Sequence, residues 1–297
     1  MNMALPFDDR DGKIWMNGTL IDWRDAKLHV LSHGLHYASS VFEGERAYAG
    51  RVFKNREHTE RFHRSAEMLG FTIPYSFEQI EAAKEEVMQA NGLRDAYLRP
   101  VAWRGSEMMA VAAQTSKIHV AVAAWEWPSM FNPEIKKHGI RLKWAPYKRP
   151  SPETEPVHAK AAGLYMICTI SKHDAEKHGY QDALMLDYRG YLAEATGANL
   201  FLVIDGEIHT PTPDCFLNGI TRQAVIELAK ARGINVHERH ILPDELARVQ
   251  EVFLTGTAAE ITPVGEIEGQ KFTPGAVTHQ LMEDYHAATH AHVKVAA

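Results

Sequence analysis

Short turns built on glycine are the feature that most restricts how this chain can fold. The pairs Asn17-Gly18, Ala49-Gly50, Arg189-Gly190 and Asp205-Gly206 each lie between two runs with strand character. Asn-Gly and Asp-Gly are preferred in two-residue β-hairpins, so these segments predict antiparallel strand pairs. Helical patterns occur in both halves of the chain without regular βα alternation, which predicts an α+β / α/β fold class.

Helix signals are clearest in the first third of the chain. A helix is predicted from Arg56 to Leu69, with Gly70 as the residue that ends it. Ser76 and Gln79 form a capping-box pattern at the start of a second helix. Further helices are predicted in the second half, from just after Lys160 to near Gly179, over Thr221 to Arg232, and over Ala276 to about His292.

The length of 297 residues favours two domains over one. A stretch rich in Pro, Ser and Asn begins at Pro128 and interrupts the strand and helix patterns. We therefore predict a smaller N-terminal α/β domain over residues 1–127, a linker over 128–138, and a larger C-terminal α/β domain over 139–297, which would carry Lys160.

Composition excludes several classes of partner. The chain is 45% hydrophobic and 24% charged with a formal charge of −6, which is typical of a soluble globular protein and offers no basic surface for nucleic acid. No apolar run is long enough to span a membrane, and no signal-peptide pattern opens the chain. With only Cys168 and Cys215, disulfides are not expected. The 17 histidines lack metal-ligand spacing. We expect a cytoplasmic protein without a metal site.

Three residues in two segments point to one cofactor. Lys160 follows a proline-rich loop, Tyr165 comes five residues later, and Glu194 ends an otherwise apolar strand. Pyridoxal 5'-phosphate (PLP) needs an amine to bind its aldehyde and a carboxylate beside its ring nitrogen, so that the ring stays protonated. A tyrosine hydroxyl could donate to the ring oxygen. The pattern therefore predicts a PLP site.

Two glycine-containing segments could hold the phosphate of this cofactor. Gly219-Ile220-Thr221, after Leu217, leads directly into a helix, whose first N–H groups and dipole favour an anion. Thr255-Gly256-Thr257 is a second turn with hydroxyl groups and a flexible backbone. Arg61 could add a charge-assisted hydrogen bond.

Each of these residues, taken alone, also fits an ordinary structural role. Lys160 could be a solvated loop lysine, Tyr165 a half-buried core residue, and Glu194 a member of an ion pair or a residue at an exposed strand end. The two glycine segments could be simple helix caps or turns. The functional interpretation depends on their order and combination along one chain.

Taken together, the segments resemble the branched-chain amino acid aminotransferases of the PLP fold-type IV group, from about Ile14 to about Val264. The blocks that carry the resemblance are Ser32–Tyr37, Val41–Gly44, Arg56–Arg61, Tyr97–Pro100, the segments around Lys160 and Glu194, and Phe253–Pro263. One departure is Glu45, at a position where the family usually has an aliphatic residue.

The resemblance implies a role for each matching residue. Lys160 would be the Schiff-base lysine, Glu194 the partner of the pyridine nitrogen and Tyr165 the partner of the ring oxygen. The phosphate would be held by Arg61, Ile220, Thr221 and Thr257, and the cofactor would also be bound by Leu217, Gly219 and Gly256. The substrate would be bound by Tyr37, Phe42, Tyr97, Arg99, Trp127, Thr257 and Ala258, with Arg99 on the distal carboxylate of glutamate and the Thr257 and Ala258 amides on the α-carboxylate.

The resemblance also implies the reaction and the assembly. The expected reaction is transamination of leucine, isoleucine or valine with 2-oxoglutarate, catalysed by a homodimer or a trimer of dimers. Other fold-type IV enzymes stay open as alternatives: a D-amino acid aminotransferase, an (R)-amine transaminase or an aminodeoxychorismate lyase. A non-enzymatic, metabolite-binding protein on the same fold is a further alternative, because fold alone does not decide function.

Overall fold

A computed structural model describes residues 6–127 and 133–291. These residues form two compact units. The first comprises 6–127 together with Ala159–Gly163, and the second comprises 133–158 and 164–291. In the part of the chain that the structure describes, no helix is both long and apolar enough to cross a membrane.

The first unit is built on one antiparallel sheet, with two helices packed on one face. Its strands are β1 (Lys13–Met16), β2 (Thr19–Asp22), β3 (Ser40–Phe42), β4 (Glu45–Tyr48), β5 (Arg51–Val52), β6 (Ala96–Arg104) and β7 (Ile118–Glu126). Its helices are α1 (His33–Tyr37), α2 (Asn55–Met68) and α3 (Phe77–Ala90), with a 3-10 turn over Trp23–Asp25. The strand order is β2-β1-β7-β6-β4-β5, and β3 also pairs with β6.

Alternate residues of the central strands face α2 and α3. Leu98 and Ala102 of β6 pack with Val120 and Val122 of β7 against Phe62 of α2, and all five are fully buried. The side chains of α3 extend the same cluster. This arrangement follows from the period of two along a strand, which sends successive side chains to opposite faces.

A buried ion pair explains the unusual Glu45. This residue is fully buried on β4, and its Oε2 lies 2.8 Å from Nζ of Lys84, which is fully buried on α3. Lys84 also donates to Thr59 Oγ1 at 2.7 Å. An unpaired buried carboxylate would be very costly, so the departure from an aliphatic residue at position 45 is compensated by Lys84.

The second unit contains a larger mixed sheet. Its strands are β8 (Ile140–Trp144), β9 (Asp182–Leu186), β10 (Leu192–Ala195), β11 (Asn199–Ile204), β12 (Glu207–Pro211), β13 (Val236–Arg239), β14 (Glu251–Gly256), β15 (Glu260–Ile267) and β16 (Gln270–Lys271). Its helices are α4 (Pro133–His138), α5 (Met166–Lys177), α6 (Ile220–Ala231) and α7 (Ala276–His290). One 3-10 helix covers Pro243–Arg248, and another, Ala162–Tyr165, belongs to this unit only in its last two residues.

Six strands of the second unit close into a ring. The order is β10-β9-β8-β15-β14-β11, and β10 pairs with β11 through Glu194 and Asn199. The pairs β8–β9 and β8–β15 are parallel, and the other pairs of the ring are antiparallel. Leu184, Leu200 and Leu254 are buried in one apolar cluster contributed by these strands. Closure of the ring sets Glu194 beside Asn199.

The predicted hairpins and helices are confirmed in their main features. Asn17 and Gly18 both have positive φ, 52° and 98°, as a type I′ turn requires. The capping box of Ser76 and Gln79 is present, and Gly70 ends the preceding helix with a φ of 71°. Residues 128–132 of the predicted linker lie outside the described residues, and the rest of that segment, Pro133–His138, is the helix α4.

Candidate active site

The backbone of Lys160 is held by the first unit. The N–H of Phe42 donates to the Lys160 carbonyl at 3.0 Å, and the Lys160 N–H donates to Ser65 Oγ at 2.9 Å. Val41 forms an isolated bridge with Ala161. These contacts with β3 and α2 place Ala159–Gly163 in the first unit. The structure therefore groups Lys160 with the first unit, whereas the sequence predicts it in the C-terminal domain.

The Lys160 side chain lies in a setting that favours the neutral amine. Its Nζ is 5.0 Å from the ring centroid of Phe42. Burial, and then the positive charge of Arg61, lower the pKa of Lys160 from 10.5 to about 8, although Glu43 and Tyr97 act in the opposite direction. A lysine with such a pKa is partly unprotonated near neutral pH, as a nucleophilic amine must be.

Glu43 organises a buried cluster of charges beside Lys160. Its two carboxylate oxygens accept from Arg61 Nε at 2.6 Å and from Arg61 Nη2 at 2.7 Å. His58 Nδ1 lies 2.7 Å from Oε2 of the same carboxylate. Despite its burial, the pKa of Glu43 is held well below its usual range by Arg61 and His58. Glu43 thereby fixes the guanidinium of Arg61, the residue predicted to bind phosphate.

We expect Glu43→Gln to destabilise the protein strongly, by about 3–5 kcal/mol, because it leaves the buried Arg61 without its counter-charge. The loss is measured as the change in the free energy of unfolding in urea. Glu67→Gln, at an exposed position on α2, is the control and should change stability by less than about 0.5 kcal/mol. Equal stabilities of the two variants would contradict the role of Glu43 as the counter-charge of Arg61.

Four of the predicted substrate residues meet in the first unit. The Arg99 guanidinium lies 4.8 Å from the ring centroid of Phe42 and 5.4 Å from that of Tyr97, and its Nη2 donates to the Tyr97 hydroxyl at 3.3 Å. The rings of Tyr97 and Trp127 are 4.9 Å apart. Arg99 Nε and Trp127 Nε1 are buried and have no hydrogen-bond partner among the described residues. They are donors available to a polar ligand.

Tyr37 and Gly44 have different places in the same unit. Tyr37 is on α1, where its half-exposed ring stacks on His33 at 4.6 Å. At Gly44, a Cβ would lie 2.0 Å from the Tyr97 hydroxyl oxygen. Only glycine therefore leaves room for Tyr97 in its observed position.

Glu194 is held on two sides in the second unit. Asn199 Nδ2 donates to Glu194 Oε2 at 3.1 Å, and Arg149 Nε lies 3.4 Å from Glu194 Oε1. Arg149 is almost fully buried, and its Nη1 donates to the Leu164 carbonyl at 3.5 Å. A neighbouring guanidinium and an amide donor both favour the ionised carboxylate, which is the form that keeps a pyridine nitrogen protonated.

Tyr165 and Ala258 both line one cavity of this unit. The cavity has a volume of about 630 Å³, and its wall also includes Thr196, Gly197 and Ala198, the residues just after β10. Tyr165 is the last residue of the 3-10 helix that precedes α5. The phenol and the strand end that carries Glu194 therefore belong to the same part of the second unit.

The two predicted anion-binding segments are also in the second unit. Gly219 is the N-cap of α6 and supplies no side-chain cap, and Ile220 and Thr221 begin the helix. Gly256 ends β14, and a Cβ there would lie 3.1 Å from the Gly197 carbonyl oxygen. Thr255 Oγ1 is buried and unpartnered among the residues described. Thr257 and Ala258 form the turn that follows β14. Within the second unit, the Glu194 carboxylate and these uncapped donors fit the chemistry of a protonated cofactor ring and its phosphate.

Several residues that hold the site together carry no functional signal of their own in the sequence. Arg149, Glu43 and His58 act through contacts distant in sequence, and Asn199 stands out only as part of a tightly specified backbone. The one available signal is local: Glu43 and Gly44 stand in a block that matches the family, and Asn199 follows Glu194 by five residues.

The chain is similar to known aminotransferases over most of its length. The model of the family Amino-transferase class IV matches residues 40–267. The branched-chain-amino-acid aminotransferase of Pseudomonas aeruginosa is 40% identical over 292 residues, which cover 96% of this chain and 94% of that protein.

Solved structures give the same result for the fold. The T.th. branched-chain amino acid aminotransferase with pyridoxamine 5'-phosphate has a TM-score of 0.93 and 40% identity, with 96% of both chains covered. The same enzyme complexed with N-(5'-phosphopyridoxyl)-L-glutamate has a TM-score of 0.91 and 40% identity over the same shares. The predicted fold-type IV architecture is thus confirmed, and the chain belongs to the class IV aminotransferase family.

Proposed function

We propose that this protein is a PLP-dependent branched-chain amino acid aminotransferase. It transfers the amino group of leucine, isoleucine or valine to 2-oxoglutarate and releases the branched-chain 2-oxo acid and L-glutamate. The observation that carries the proposal is the Lys160 amine, whose pKa is lowered to about 8, beside an arginine–aromatic group suited to substrate. The relatives named above support the substrate class.

Each site residue has a distinct task in this reaction. When bound, PLP supplies an aldehyde and a protonated ring that accepts electrons from the substrate Cα. Lys160 would hold that aldehyde through Nζ, and as a free amine it would take the proton from the substrate Cα. Glu194 would keep the proton on the ring nitrogen, and the Tyr165 hydroxyl would donate to the ring oxygen.

The phosphate anchor is assigned to the loops and to one arginine. Ile220, Thr221 and Thr257 offer N–H and hydroxyl donors, and Leu217, Gly219 and Gly256 shape the backbone around them. Arg61, fixed by Glu43, adds a positive charge. Helix N-termini and arginines are the usual partners of phosphate groups.

The lowered pKa of Lys160 predicts how cofactor attachment depends on pH. Only the neutral amine attacks an aldehyde, so the rate at which the cofactor-free chain takes up PLP should rise with pH and level off near pH 8. Below that point it should fall about tenfold per pH unit. Stopped-flow absorbance measures the rate. A rise that continues to pH 10.5, the ordinary lysine value, would contradict the lowered pKa.

The substrate residues must serve both an apolar and an acidic side chain. Phe42, Tyr97, Trp127 and Tyr37 provide apolar surface, on which each buried CH₂ of a branched side chain contributes about 0.8 kcal/mol. Arg99 provides a cation for the distal carboxylate of glutamate. The amides that follow β14, of Thr257 and Ala258, bind the α-carboxylate that all substrates share.

Arg99→Ala should separate these two functions. We expect kcat/KM for glutamate to fall about 10²-fold, since a charged hydrogen-bonded contact is lost, while kcat/KM for leucine falls less than about fivefold. Steady-state kinetics with both donors give the comparison. Equal losses for glutamate and leucine would remove Arg99 from this role.

A donor panel tests the proposed function as a whole. L-leucine, L-isoleucine, L-valine, D-alanine and a chiral (R)-amine are each offered with 2-oxoglutarate, and glutamate formation is measured. We expect turnover with the three branched L-amino acids. Turnover confined to D-alanine or to the (R)-amine would instead assign the chain to one of the other fold-type IV activities.

We also propose that the protein works in the cytoplasm as a homodimer or as a trimer of dimers. The first unit leaves Leu28, Val30, Leu31 and Leu35 between 46% and 66% exposed, close together in sequence. Apolar side chains grouped in this way commonly mark a protein interface. A second copy of the chain would cover them.

A further inference from the structure

Asn199 occupies the position where the strand ring of the second unit closes. It is the cross-strand partner of Glu194 on β10, and on its other side it is paired with Thr255 on β14. Its side chain is buried, with a 5% exposed fraction. One residue thus lies between the carboxylate proposed for the ring nitrogen and the strand that leads into Gly256 and Thr257.

The Asn199 amide makes three hydrogen bonds that join separate segments. Nδ2 donates to Glu194 Oε2 at 3.1 Å and to the Leu217 carbonyl at 3.0 Å. Oδ1 accepts from the Gly219 N–H at 3.2 Å. The orientation of the amide is set by these partners, because a flipped amide would face both acceptors with its oxygen and the N–H donor with its NH₂ group.

Close packing at Gly219 makes the contact specific. A Cβ at Gly219 would lie 2.2 Å from Asn199 Oδ1. The glycine therefore lets the loop approach the amide, and the amide fixes the loop immediately before the N-terminus of α6. Leu217 and Gly219 lie on either side of Asn218, in the segment that leads into the first N–H groups of α6.

We propose that Asn199 is a positioning residue that couples Glu194 to the phosphate-binding loop. It holds the carboxylate at one end of the cofactor and the backbone of Leu217–Gly219 at the other, without itself touching the cofactor. The inference rests on the proposed function. It predicts that a change at Asn199 weakens phosphate binding although no phosphate contact is removed.

The first test compares phosphate affinities of full-length variants. Asn199→Ala removes all three hydrogen bonds, and Asn199→Asp keeps the acceptor for Gly219 and the side-chain volume while removing both donations. Inorganic phosphate is the probe, measured by its competition with PLP. We expect about tenfold weaker phosphate binding in both variants, the size typical of losing side chain–backbone hydrogen bonds.

Asn235→Ala is the matched control. Asn235 Nδ2 also donates to a glutamate, Glu207 Oε1, at 2.7 Å, but it lies on the exposed β12–β13 side of the sheet. The phosphate affinity of the Asn235→Ala variant should equal that of the wild-type protein. Wild-type phosphate affinity in both Asn199 variants would overturn the inference, even if their denaturation midpoints fell.

A double-mutant cycle tests the coupling to Glu194. PLP affinity is measured for Asn199→Ala, Glu194→Gln and the double variant. If Asn199 acts partly through Glu194, Asn199→Ala should weaken PLP binding less in the Glu194→Gln background than in the wild-type protein. The two factors should differ at least about threefold. If the two single variants' losses of PLP-binding free energy simply add in the double variant, the coupling is overturned. A wild-type chain that fails to bind PLP would instead contradict the proposed function, so the two failures are distinguishable.

Discussion

Lys160→Ala is expected to abolish transamination, with kcat falling at least about 10⁴-fold, while the fold is kept. The alanine variant loses both the covalent attachment of the cofactor and the base that moves the Cα proton, and such proton transfer alone is worth about 10²–10⁴-fold. The visible absorption of the bound cofactor should also shift, because no lysine remains to bind its aldehyde. Coupled assays with leucine and absorption spectra measure the two effects.

Two further variants make this result specific. Lys160→Arg keeps a positive charge but offers no amine that condenses with an aldehyde, so it should be as inactive as Lys160→Ala. Lys177→Ala, at an exposed position at the end of α5, should keep wild-type activity. Normal turnover of leucine by Lys160→Ala would show that another residue is the nucleophile.

Glu194→Gln is expected to lower kcat about 10²–10³-fold with little change in KM. A neutral amide no longer favours a proton on the ring nitrogen, so the electron-accepting power of the ring falls in the transition state. The substrate contacts assigned to Arg99 and to the Thr257 and Ala258 amides are unchanged. Steady-state kinetics with leucine and 2-oxoglutarate separate kcat from KM.

The control for this variant is Glu207→Gln. Glu207 accepts a hydrogen bond from Asn235 just as Glu194 accepts one from Asn199, but Glu207 is on the exposed side of the sheet. Its replacement should leave kcat within about twofold. A Glu194→Gln enzyme with wild-type kcat would contradict the role of Glu194, whereas a loss confined to KM would make it a substrate-binding residue.

Local features of the fold are predictable from the sequence because their causes are local. The Asn17-Gly18 turn depends on two positive φ angles, and the capping box depends on hydrogen bonds between Ser76 and Gln79, three residues apart. Hydrophobic periodicity predicts α2, α3, α6 and α7 to within two residues at most ends. Such signals are contained in short windows of sequence.

Long-range pairings are not predictable in this way. The closure of the strand ring through Glu194 and Asn199, and the parallel pairing of β12 with β13, depend on packing of the whole second unit. The position of Lys160 along the sequence favours the C-terminal domain. Its backbone is instead held by Ser65, 95 residues away.

In the candidate site, too, some residues are predictable from the sequence and others are not. The chemical types of Lys160, Tyr165 and Glu194 predict a cofactor, because few ligands need an amine, a phenol and a carboxylate together. The residues that fix their charge and position cannot be identified from the sequence. Arg149 beside Glu194, and Glu43 beneath Arg61, are recognised only when burial and distances are known.

Reductive trapping identifies the lysine that binds the cofactor. The purified enzyme, saturated with PLP, is treated with borohydride and digested, and the peptides are sequenced by mass spectrometry. We predict one pyridoxyl adduct, on the peptide that contains Lys160. An adduct on a different lysine, or none under cofactor saturation, would show that Lys160 is not the residue that binds PLP.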